Sequence, residues 1–270
     1  MSNSASDIFS VLYEQPSRAS RRINTIVSII AALALLSLFA LVVNRFYETG
    51  QLDYRNWYFF LKGTTWIFLF KGFLGTIASS LTSLVFAFVF GFTLMNLRIS
   101  KSKAFNAIST AIIEFTRGVP TLLFIYFFFL VLPQWNIKLS PLLKIALPVS
   151  LSASGVVAEV LRSGVNSLSR GQREAALSLG MSDMQANCSV IFPQAFRSVL
   201  PSLISELVIV VKDTTFSYLV NYPDLMQNAK VLISNYDSML LIYVLVAIIY
   251  IVLNYALNKV SDNIAQRKRR

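Results

Sequence analysis

Apolar residues occur along this chain in six long runs, and a polar segment at 169–194 lies between the fourth run and the fifth. A helix needs about 20 mostly apolar residues to cross the hydrocarbon core of a bilayer. The runs predict spans at 23–43, 72–97, 106–131, 142–161, 197–219 and 238–257. We therefore predict an all-α polytopic membrane protein with six transmembrane helices.

The polar segment at 169–194 carries the start and stop signals of two short helices. Ser169 with Gln172, and Ser182 with Gln185, have the S-x-x-Q spacing of a capping box. Gly180 lies between the two boxes, and glycine often ends a helix because it adopts left-handed backbone angles at low cost. On spacing alone, the segment is either an ordinary amphipathic loop or a docking element for another protein.

Composition supports the membrane class and excludes several kinds of chemistry. A hydrophobic content of 55% and a mean hydropathy of +0.61 give too much apolar surface for one soluble core. The chain has no histidine and a single cysteine, Cys188, so its own residues cannot form zinc sites or Ser-His and Cys-His catalytic pairs. The sequence contains no G-x-x-x-x-G-K-[ST] motif, so a Walker-type phosphate loop is absent.

The net charge of +11 reflects membrane orientation and does not indicate a nucleic-acid partner. If both termini are cytoplasmic, fifteen basic residues flank the inner ends of the spans and seven lie outside. Basic residues accumulate on the cytoplasmic side of membrane proteins, so this bias places both termini and the segment 169–194 in the cytoplasm. The two remaining basic residues, Arg117 and Lys212, fall inside predicted spans.

The first predicted span follows Arg21 and Arg22, as the apolar core of a signal peptide would. Its apolar run is longer than a typical signal-peptide core and no A-x-A site follows it, so we expect a retained anchor helix. The next segment, 44–71, is expected on the outer face as a short helix along the membrane, because aromatic side chains suit the interface. These aromatic residues are Trp57, Tyr58, Phe59, Phe60 and Trp66.

Four motifs, in order and spacing, resemble the permeases of ABC importers for polar amino acids. They are IEFTRGVPTL at 113–122, A-E-x-x-R-x-G at 158–164, EAA with a later glycine and IFP at 174–193, and KDT at 212–214. The resemblance runs from about Gly72 to the C-terminus and implies a five-helix permease core at 72–260. It leaves a cytoplasmic tail at 1–22, an extra helix at 23–43, the outer segment at 44–71 and a basic cytoplasmic tail at 261–270.

In such permeases the EAA segment is a cytoplasmic loop whose helix sits in a cleft of a separate ATPase. The resemblance implies that the coupling residues are Arg173, Glu174, Ala175, Ala176, Leu179 and Gly180. It also implies that ATP and Mg²⁺ bind to an ABC ATPase dimer, and that this chain holds no cofactor or metal. The other expected partners are a second permease subunit (related or identical), an extracytoplasmic amino-acid-binding protein and membrane lipids. The expected location is the bacterial plasma membrane, and the expected substrate is glutamate or glutamine.

Two acidic residues lie within the fifth predicted span. An ionisable group at bilayer depth costs on the order of 3 kcal/mol, so it normally faces a partner or a cavity. Glu206 and Asp213 are two helical turns apart and share one helix face. They could belong to an ion-pair network between helices, or they could bind the ammonium or cationic side chain of an amino acid. The resemblance favours a substrate-binding role.

The third predicted span also contains a charge pair, Glu114 and Arg117, three residues apart. The two could pair with each other, or Arg117 could bind the carboxylate of a substrate through its planar fork. The glycine and proline within 118–120 predict a weakened or bent helix, whose freed backbone groups could line a cavity. Glu159 and Arg162, near the cytoplasmic end of the fourth span, are interpreted as structural support for the polar segment.

Three classes of function are compatible with this pattern. The first, favoured by the motifs, is the permease subunit of an ATP-driven importer of polar amino acids. The second is an ion-coupled secondary transporter or channel that uses the carboxylates of Glu206 and Asp213. The third is a polytopic membrane enzyme, which the lack of histidine and metal ligands argues against.

Overall fold

The computed structural model describes residues 18–267 of the chain, and it describes side chains over 20–265. The described residues form helices and no strand. The α-helices are α1 (Arg18–Glu48), α2 (Gly63–Arg98), α3 (Lys103–Gly118), α4 (Thr121–Leu130), α5 (Pro141–Asn166), α6 (Arg170–Ser178), α7 (Asp183–Ala186), α8 (Phe192–Asp213), α9 (Leu225–Tyr236) and α10 (Met239–Arg267). A π-helical turn spans Asn187–Ile191, and 3₁₀ turns span Tyr54–Asn56, Tyr58–Leu61, Leu132–Trp135 and Thr214–Val220.

The chain divides into two compact units between Asn56 and Trp57. In the first unit, α1 contains the predicted span 23–43 and is long and apolar enough to cross a membrane. The side-chain amide of Asn56 donates to the carbonyl oxygens of Gly50 and Gln51, at 2.9 and 3.1 Å, and closes the turn after α1. Most of the predicted tail at 1–22 and the end of the tail at 261–270 lie outside the described residues.

Among the described residues, five helical segments, α1 included, have the length and composition of membrane spans, and the bent pair of α3 and α4 gives six if the pair counts as one span. The all-α class is therefore confirmed, and five or six candidate spans agree with the six predicted. Several helix ends differ from the prediction: α2 begins at Gly63 instead of 72, and α5 continues to Asn166. Helices continue past the apolar run that marks the bilayer core, because their backbone bonds do not depend on hydropathy.

The segment predicted at 44–71 as an outer interfacial element is mostly not a separate helix. Residues 63–71 belong to α2, and short 3₁₀ turns precede them. Phe59 is 1% exposed and stacks on Tyr236, with ring centroids 5.2 Å apart, so it packs inside the second unit. The position of this segment relative to a membrane stays a prediction.

The predicted third span, 106–131, consists of two helices instead of one. Helices α3 and α4 meet at an angle of 95° across residues 119–120. The bend follows from Pro120, because the residue before a proline is driven out of the helical region, and Val119 is extended. The bend that the sequence indicated is confirmed, whereas its size was not predicted.

Buried hydroxyl groups on α2 bond to nearby backbone, so they can lie inside a membrane protein without a free polar atom. The Ser80 hydroxyl donates to the carbonyl oxygen of Thr76 at 2.7 Å and lies 3.0 Å from the hydroxyl of Thr214. Ser83 donates in the same way to the carbonyl of Ser79 at 2.8 Å. These contacts join α2 to the segment that follows α8.

The N-terminal half of α2 packs directly against the backbone of residues 222–228. A Cβ atom on Gly75 would lie 2.3 Å from the carbonyl oxygen of Pro223. The Tyr222 hydroxyl donates to the Gly75 carbonyl at 3.3 Å, and the Asn228 amide donates to the Phe68 carbonyl at 2.7 Å. This contact fixes the chain shortly after the end of α8.

Replacing Gly75 by alanine is expected to lower the melting temperature of the detergent-purified protein, because the new methyl group meets a backbone atom that cannot rotate away. Overpacking of this kind costs about 1–3 kcal/mol. The matched control is Gly63→Ala on the same helix, where a Cβ atom has no neighbour within 4 Å. Equal melting temperatures for the two variants in fluorescence-detected size-exclusion would contradict the close contact.

Candidate functional site

The polar segment 169–194, called the coupling elbow below, begins with the predicted helix α6. The Ser169 hydroxyl caps it by accepting from the backbone N–H of Gly171 at 3.3 Å. The Gln172 side chain does not complete the predicted capping box. Its carbonyl oxygen instead accepts from the side-chain amide of Gln194 at 3.3 Å, which joins the two ends of the elbow.

The second predicted capping box is present at the start of α7. The Gln185 side chain accepts from the Ser182 backbone N–H at 2.9 Å, and the Ser182 hydroxyl accepts from the Gln185 N–H at 3.3 Å. The helix that starts here is longer than predicted, because the π turn at Asn187–Ile191 carries it without a break into α8. The second half of the elbow, from Asp183, and the fifth span are therefore parts of one continuous helical segment.

Gly180 ends α6 in a left-handed conformation, as the sequence predicted, with φ of +83°. Its backbone N–H donates to the carbonyl of Leu177 at 2.9 Å, and the N–H of Met181 donates to the carbonyl of Ala176 at 3.2 Å. These two bonds form a Schellman motif, which satisfies the last carbonyl groups of the helix. The turn between α6 and α7 thus depends on a residue that tolerates positive φ.

An ion-pair cluster holds the elbow together. Asp183 accepts from Arg173 of α6 at 2.7 Å and from Lys101, in the loop between α2 and α3, at 2.8 Å. All three side chains are well exposed, so each pair alone contributes little stability. Together they tie α6 and α7 to each other and to the end of α2.

The coupling residues predicted from the resemblance lie mostly on the surface of the elbow. Glu174, Ala175 and Gly180 are exposed, and Leu179 is 81% exposed. Ala176 is 4% exposed and packs inward, because the next residue on a helix points about 100° away from Ala175. Of the two alanines, Ala175 therefore contributes to the exposed surface of the helix and Ala176 does not.

Replacing Asp183 by asparagine is expected to speed hydrogen exchange of the elbow backbone, since both of its ion pairs lose their charge. Exposed pairs contribute little individually, so exchange over 170–186 should rise only about two- to fivefold, with α2 unchanged. Asp262→Asn is the control, because Asp262 is exposed and makes no ion pair with any described residue. Unchanged exchange in Asp183→Asn would show that the cluster does not order the elbow.

The two acidic residues of α8 lie in different places. Asp213 lies at the bend between α3 and α4, and Glu206 is buried inside the bundle. Asp213 Oδ2 accepts from the Thr121 hydroxyl at 2.8 Å, and that hydroxyl lies 2.9 Å from the hydroxyl of Ser152. Glu206 is 5% exposed and makes no hydrogen bond or ion pair with any described residue. A buried carboxylate without a partner is costly, so this position suits a bound cationic group.

Glu114 and Arg117 pair with each other, with 3.7 Å between Arg117 Nη1 and Glu114 Oε1. Both side chains are about half exposed, and no described hydrogen bond or ion pair joins them to Glu206 or Asp213. The stem of Arg117 packs at Gly155, where an added Cβ would lie 2.9 Å from Arg117 Cγ. Gly155 is one turn from Ser152 on α5, so Arg117 and Thr121, the partner of Asp213, contact neighbouring parts of the same helix.

Thr121, which donates to Asp213, and Ser152, whose hydroxyl bonds to Thr121, were not predicted as site residues. Thr121 follows the proline of the helix break, and that position was the available signal for it. Ser152 lies among other small residues of α5 and carries no local signal. Pairing between residues so far apart in the chain depends on helix packing, which the spacing of residues does not encode.

Glu159 and Arg162 make ion pairs of the kind that a supporting role predicts. Glu159 forms an ion pair with Arg98 at the C-terminal end of α2 and another with Arg162, whose Nη2 lies 2.8 Å from Glu159 Oε2. The cluster joins the ends of α2 and α5 immediately before the elbow. It therefore positions the elbow.

Comparison with known proteins identifies the family. Residues 83–270 match the family described as "binding-protein-dependent transport system inner membrane component". The chain is 36% identical over 224 residues to the glutamate transport system permease protein GluD of Corynebacterium glutamicum, and the match covers 82% of each protein. It is 30% identical over 204 residues to the probable glutamine ABC transporter permease protein GlnP of Bacillus subtilis, covering 74% of this chain and 94% of that protein.

A solved structure gives the same picture. A crystal structure of an amino acid ABC transporter with histidines matches with a TM-score of 0.66 and 25% identity, and covers 74% of this chain and 94% of that one. The family match over residues 83–270 includes the elbow, its Gly180 turn and both acids of α8. The resemblance inferred from the four motifs is thus confirmed. The chain belongs to the family of binding-protein-dependent transport system inner membrane components and is the multi-pass inner-membrane permease subunit of an ABC importer, not its ATPase.

Proposed function

We propose that the chain conducts an amino acid of the glutamate or glutamine class across the membrane by alternating access, driven by an ATPase that docks on the coupling elbow. Permeases of this family work in complexes with an ATPase and a binding protein. The relatives named for glutamate and glutamine support the substrate class. The observation that carries the proposal is the continuous helical segment from Asp183 to Asp213, which links the elbow to the intramembrane acids.

Movement of the ATPase would be transmitted through this chain from α6 to α7 and then to α8. ATP and Mg²⁺ would bind in the partner ATPase dimer, and closure of that dimer would displace the exposed surface of α6 around Glu174, Ala175 and Leu179. The ion pairs of Asp183 would carry the displacement from α6 to α7 and so to α8. The acids on α8 would then move relative to the bend at Thr121, which would open one side of the pathway and close the other.

The substrate site would lie where α8 meets the bend. Asp213 has one oxygen engaged by Thr121, and its other oxygen accepts no hydrogen bond from the described residues, so it can accept from an ammonium group. Glu206, buried two turns away, supplies a second negative charge. Arg117 and Glu114 complete the proposed site from the end of α3, with Arg117 as a candidate partner for a carboxylate. The pathway would be completed by a second permease subunit, and an extracytoplasmic amino-acid-binding protein would deliver the substrate.

Uptake by proteoliposomes tests the proposal. The permease–ATPase complex is reconstituted with its ATPase domains and ATP inside the liposomes and the binding protein outside. These liposomes should accumulate radiolabelled L-glutamate or L-glutamine. Uptake should stop when ATP is omitted. Accumulation driven by a sodium or proton gradient through the permease without the ATPase would overturn the proposal in favour of an ion-coupled transporter.

A further inference from the structure

An apolar groove runs between α2 and α8 in the second unit. Its cavity has a volume of about 310 Å³ and is lined only by aliphatic and aromatic side chains, from α2 (within 84–89), α5 (Val157) and α8 (within 196–207). Val85 and Val89 on its wall are 62% and 52% exposed, so the groove opens at the surface of the bundle. From residue 196 to residue 207 a helix rises about 16 Å, which is close to half of the roughly 30 Å hydrocarbon core of a bilayer.

The groove and the exposed polar residues of α8 lie on opposite sides of that helix. Ser202, Ser205 and Lys212 are exposed on one side. At 100° per residue, the middle of that side is turned roughly 180° from the middle of the face that lines the groove. Polar side chains at membrane depth normally face a cavity, a pathway or another subunit. The groove side of α8 is therefore the side left for lipid.

Arg197 lies at the end of the groove nearest to the coupling elbow. It is exposed and makes no hydrogen bond or ion pair with any described residue. It follows Pro193 by four residues and precedes Leu200 by three, and these two residues line the groove or its continuation. Residues with this spacing share one side of a helix, so Arg197 lies beside the groove. Its guanidinium group is therefore available to an anion next to the apolar wall.

A second cavity, with a volume of about 320 Å³, continues the groove toward the coupling elbow. It shares two phenylalanines with the first cavity and reaches Met95 in the last turns of α2. Arg98, three residues beyond Met95, pairs with Glu159, and Arg162 pairs with the same carboxylate. Two arginines share one negative charge there. Together with Arg197, they give this end of the groove an excess of positive charge.

We propose that the groove binds an anionic phospholipid from the leaflet on the elbow side, with an acyl chain along the groove and the phosphate at Arg197. A chain that fills the groove gains van der Waals contacts that an empty groove lacks. The oxygens of a phosphate match the planar fork of arginine, and basic residues at a membrane surface attract anionic lipids. This inference goes beyond the proposed function and does not depend on it, because lipid binding is measured without ATP or amino acid.

A helix of a second permease subunit is the competing occupant of the groove. A helix with its side chains is about 10 Å across, so it could insert only single side chains into a cavity of about 310 Å³. An acyl chain is thin and flexible enough to follow the whole groove. The size of the cavity and the positive charge at its end therefore favour the lipid.

Native mass spectrometry of the permease, purified in detergent with its associated subunits, tests the inference. Phosphatidylglycerol and phosphatidylethanolamine with identical acyl chains are added in competition, and the wild type should retain phosphatidylglycerol preferentially. Val85→Trp fills the groove from α2 and should lose one bound phosphatidylglycerol per permease, and Ile204→Trp repeats the test from α8. Val244→Trp is the control, because Val244 is exposed on α10 and lines neither cavity.

The headgroup is tested at Arg197. Arg197→Gln should weaken phosphatidylglycerol binding about fivefold and phosphatidylethanolamine binding less, because the removed charge acts most strongly on the anionic headgroup. Arg197→Lys should keep the preference. Lys259→Gln should match the wild type, because Lys259 is exposed on α10 and makes no ion pair with any described residue.

Three results would overturn the inference. Full retention of phosphatidylglycerol by both tryptophan variants of the groove would place the lipid elsewhere. Equal loss of the preference in Arg197→Gln and Lys259→Gln would show a general attraction to basic surface. Weaker association of a second permease subunit in Val85→Trp, with lipid binding unchanged, would assign the groove to a subunit interface. Melting temperatures close to that of the wild type show that the variants are folded.

Discussion

Valine in place of Gly180 is expected to reduce ATP-driven uptake at least tenfold, while the protein still inserts and folds. The left-handed backbone at Gly180, with φ of +83°, costs an ordinary L-residue about 1–2 kcal/mol and a β-branched residue more. Steric overlap with neighbouring residues does not contribute to this cost, because a Cβ atom at Gly180 has no neighbour within 4 Å. The expected defect therefore arises from the backbone alone.

The consequence is large because α6 is short. A helix of nine residues is marginal without tertiary support, so it depends on its caps. Loss of the Schellman bonds from Gly180 and Met181 would unwind the last turn, which presents Ala175 and the exposed Leu179. The proposed ATPase surface would then lose its shape while the membrane helices stay intact.

Gly180→Asn is the matched control, because asparagine enters the left-handed region far more readily than valine. It should retain most of the uptake. The measurements are uptake by proteoliposomes, co-purification of the ATPase and melting temperature of the permease. Full uptake by Gly180→Val would refute the coupling role of the turn, and an equally strong loss in Gly180→Asn would attribute the effect to the side chain instead of the backbone.

The sequence predicted the membrane spans and the elbow well, because both depend on local patterns. Runs of apolar residues indicated the spans, and the signals at Gly180 and Ser182 indicated a turn and a cap that the structure confirms. The helix ends were predicted less well. Hydropathy reports where the bilayer core ends, so it could not show that α2 starts at Gly63 or that α7 continues through a π turn into α8.

The candidate site was predictable only in part, for a related reason. Helical periodicity placed Glu206 and Asp213 on one face, and their position on α8 agrees with that. The contact of Asp213 with Thr121 depends on the 95° bend between α3 and α4. The glycine and proline signalled a bend, but its angle follows from packing against α5.

Replacing Asp213 by asparagine is expected to abolish most uptake without loss of stability. Asparagine has the same shape, and its side-chain carbonyl can still accept from the Thr121 hydroxyl that now lies 2.8 Å from Asp213. The substitution removes the negative charge proposed to hold the substrate ammonium. A charge-assisted hydrogen bond is worth about 1.5–3 kcal/mol, which corresponds to a loss of about 10- to 100-fold in affinity.

Thr121→Val separates the two roles of Asp213, because it removes the hydrogen bond and keeps the charge. This variant should melt at a lower temperature than the wild type, since the half-buried carboxylate of Asp213 loses its hydrogen-bond donor, yet it should retain measurable uptake. Asp213→Asn should show the opposite pattern, with normal melting, normal co-purification of the ATPase and little uptake. The opposite outcome would be unchanged transport kinetics in Asp213→Asn together with failure of Thr121→Val to fold. Asp213 would then serve to hold α8 against α4 through its hydrogen bond with Thr121. The substrate ammonium would in that case be bound by Glu206 or by another subunit.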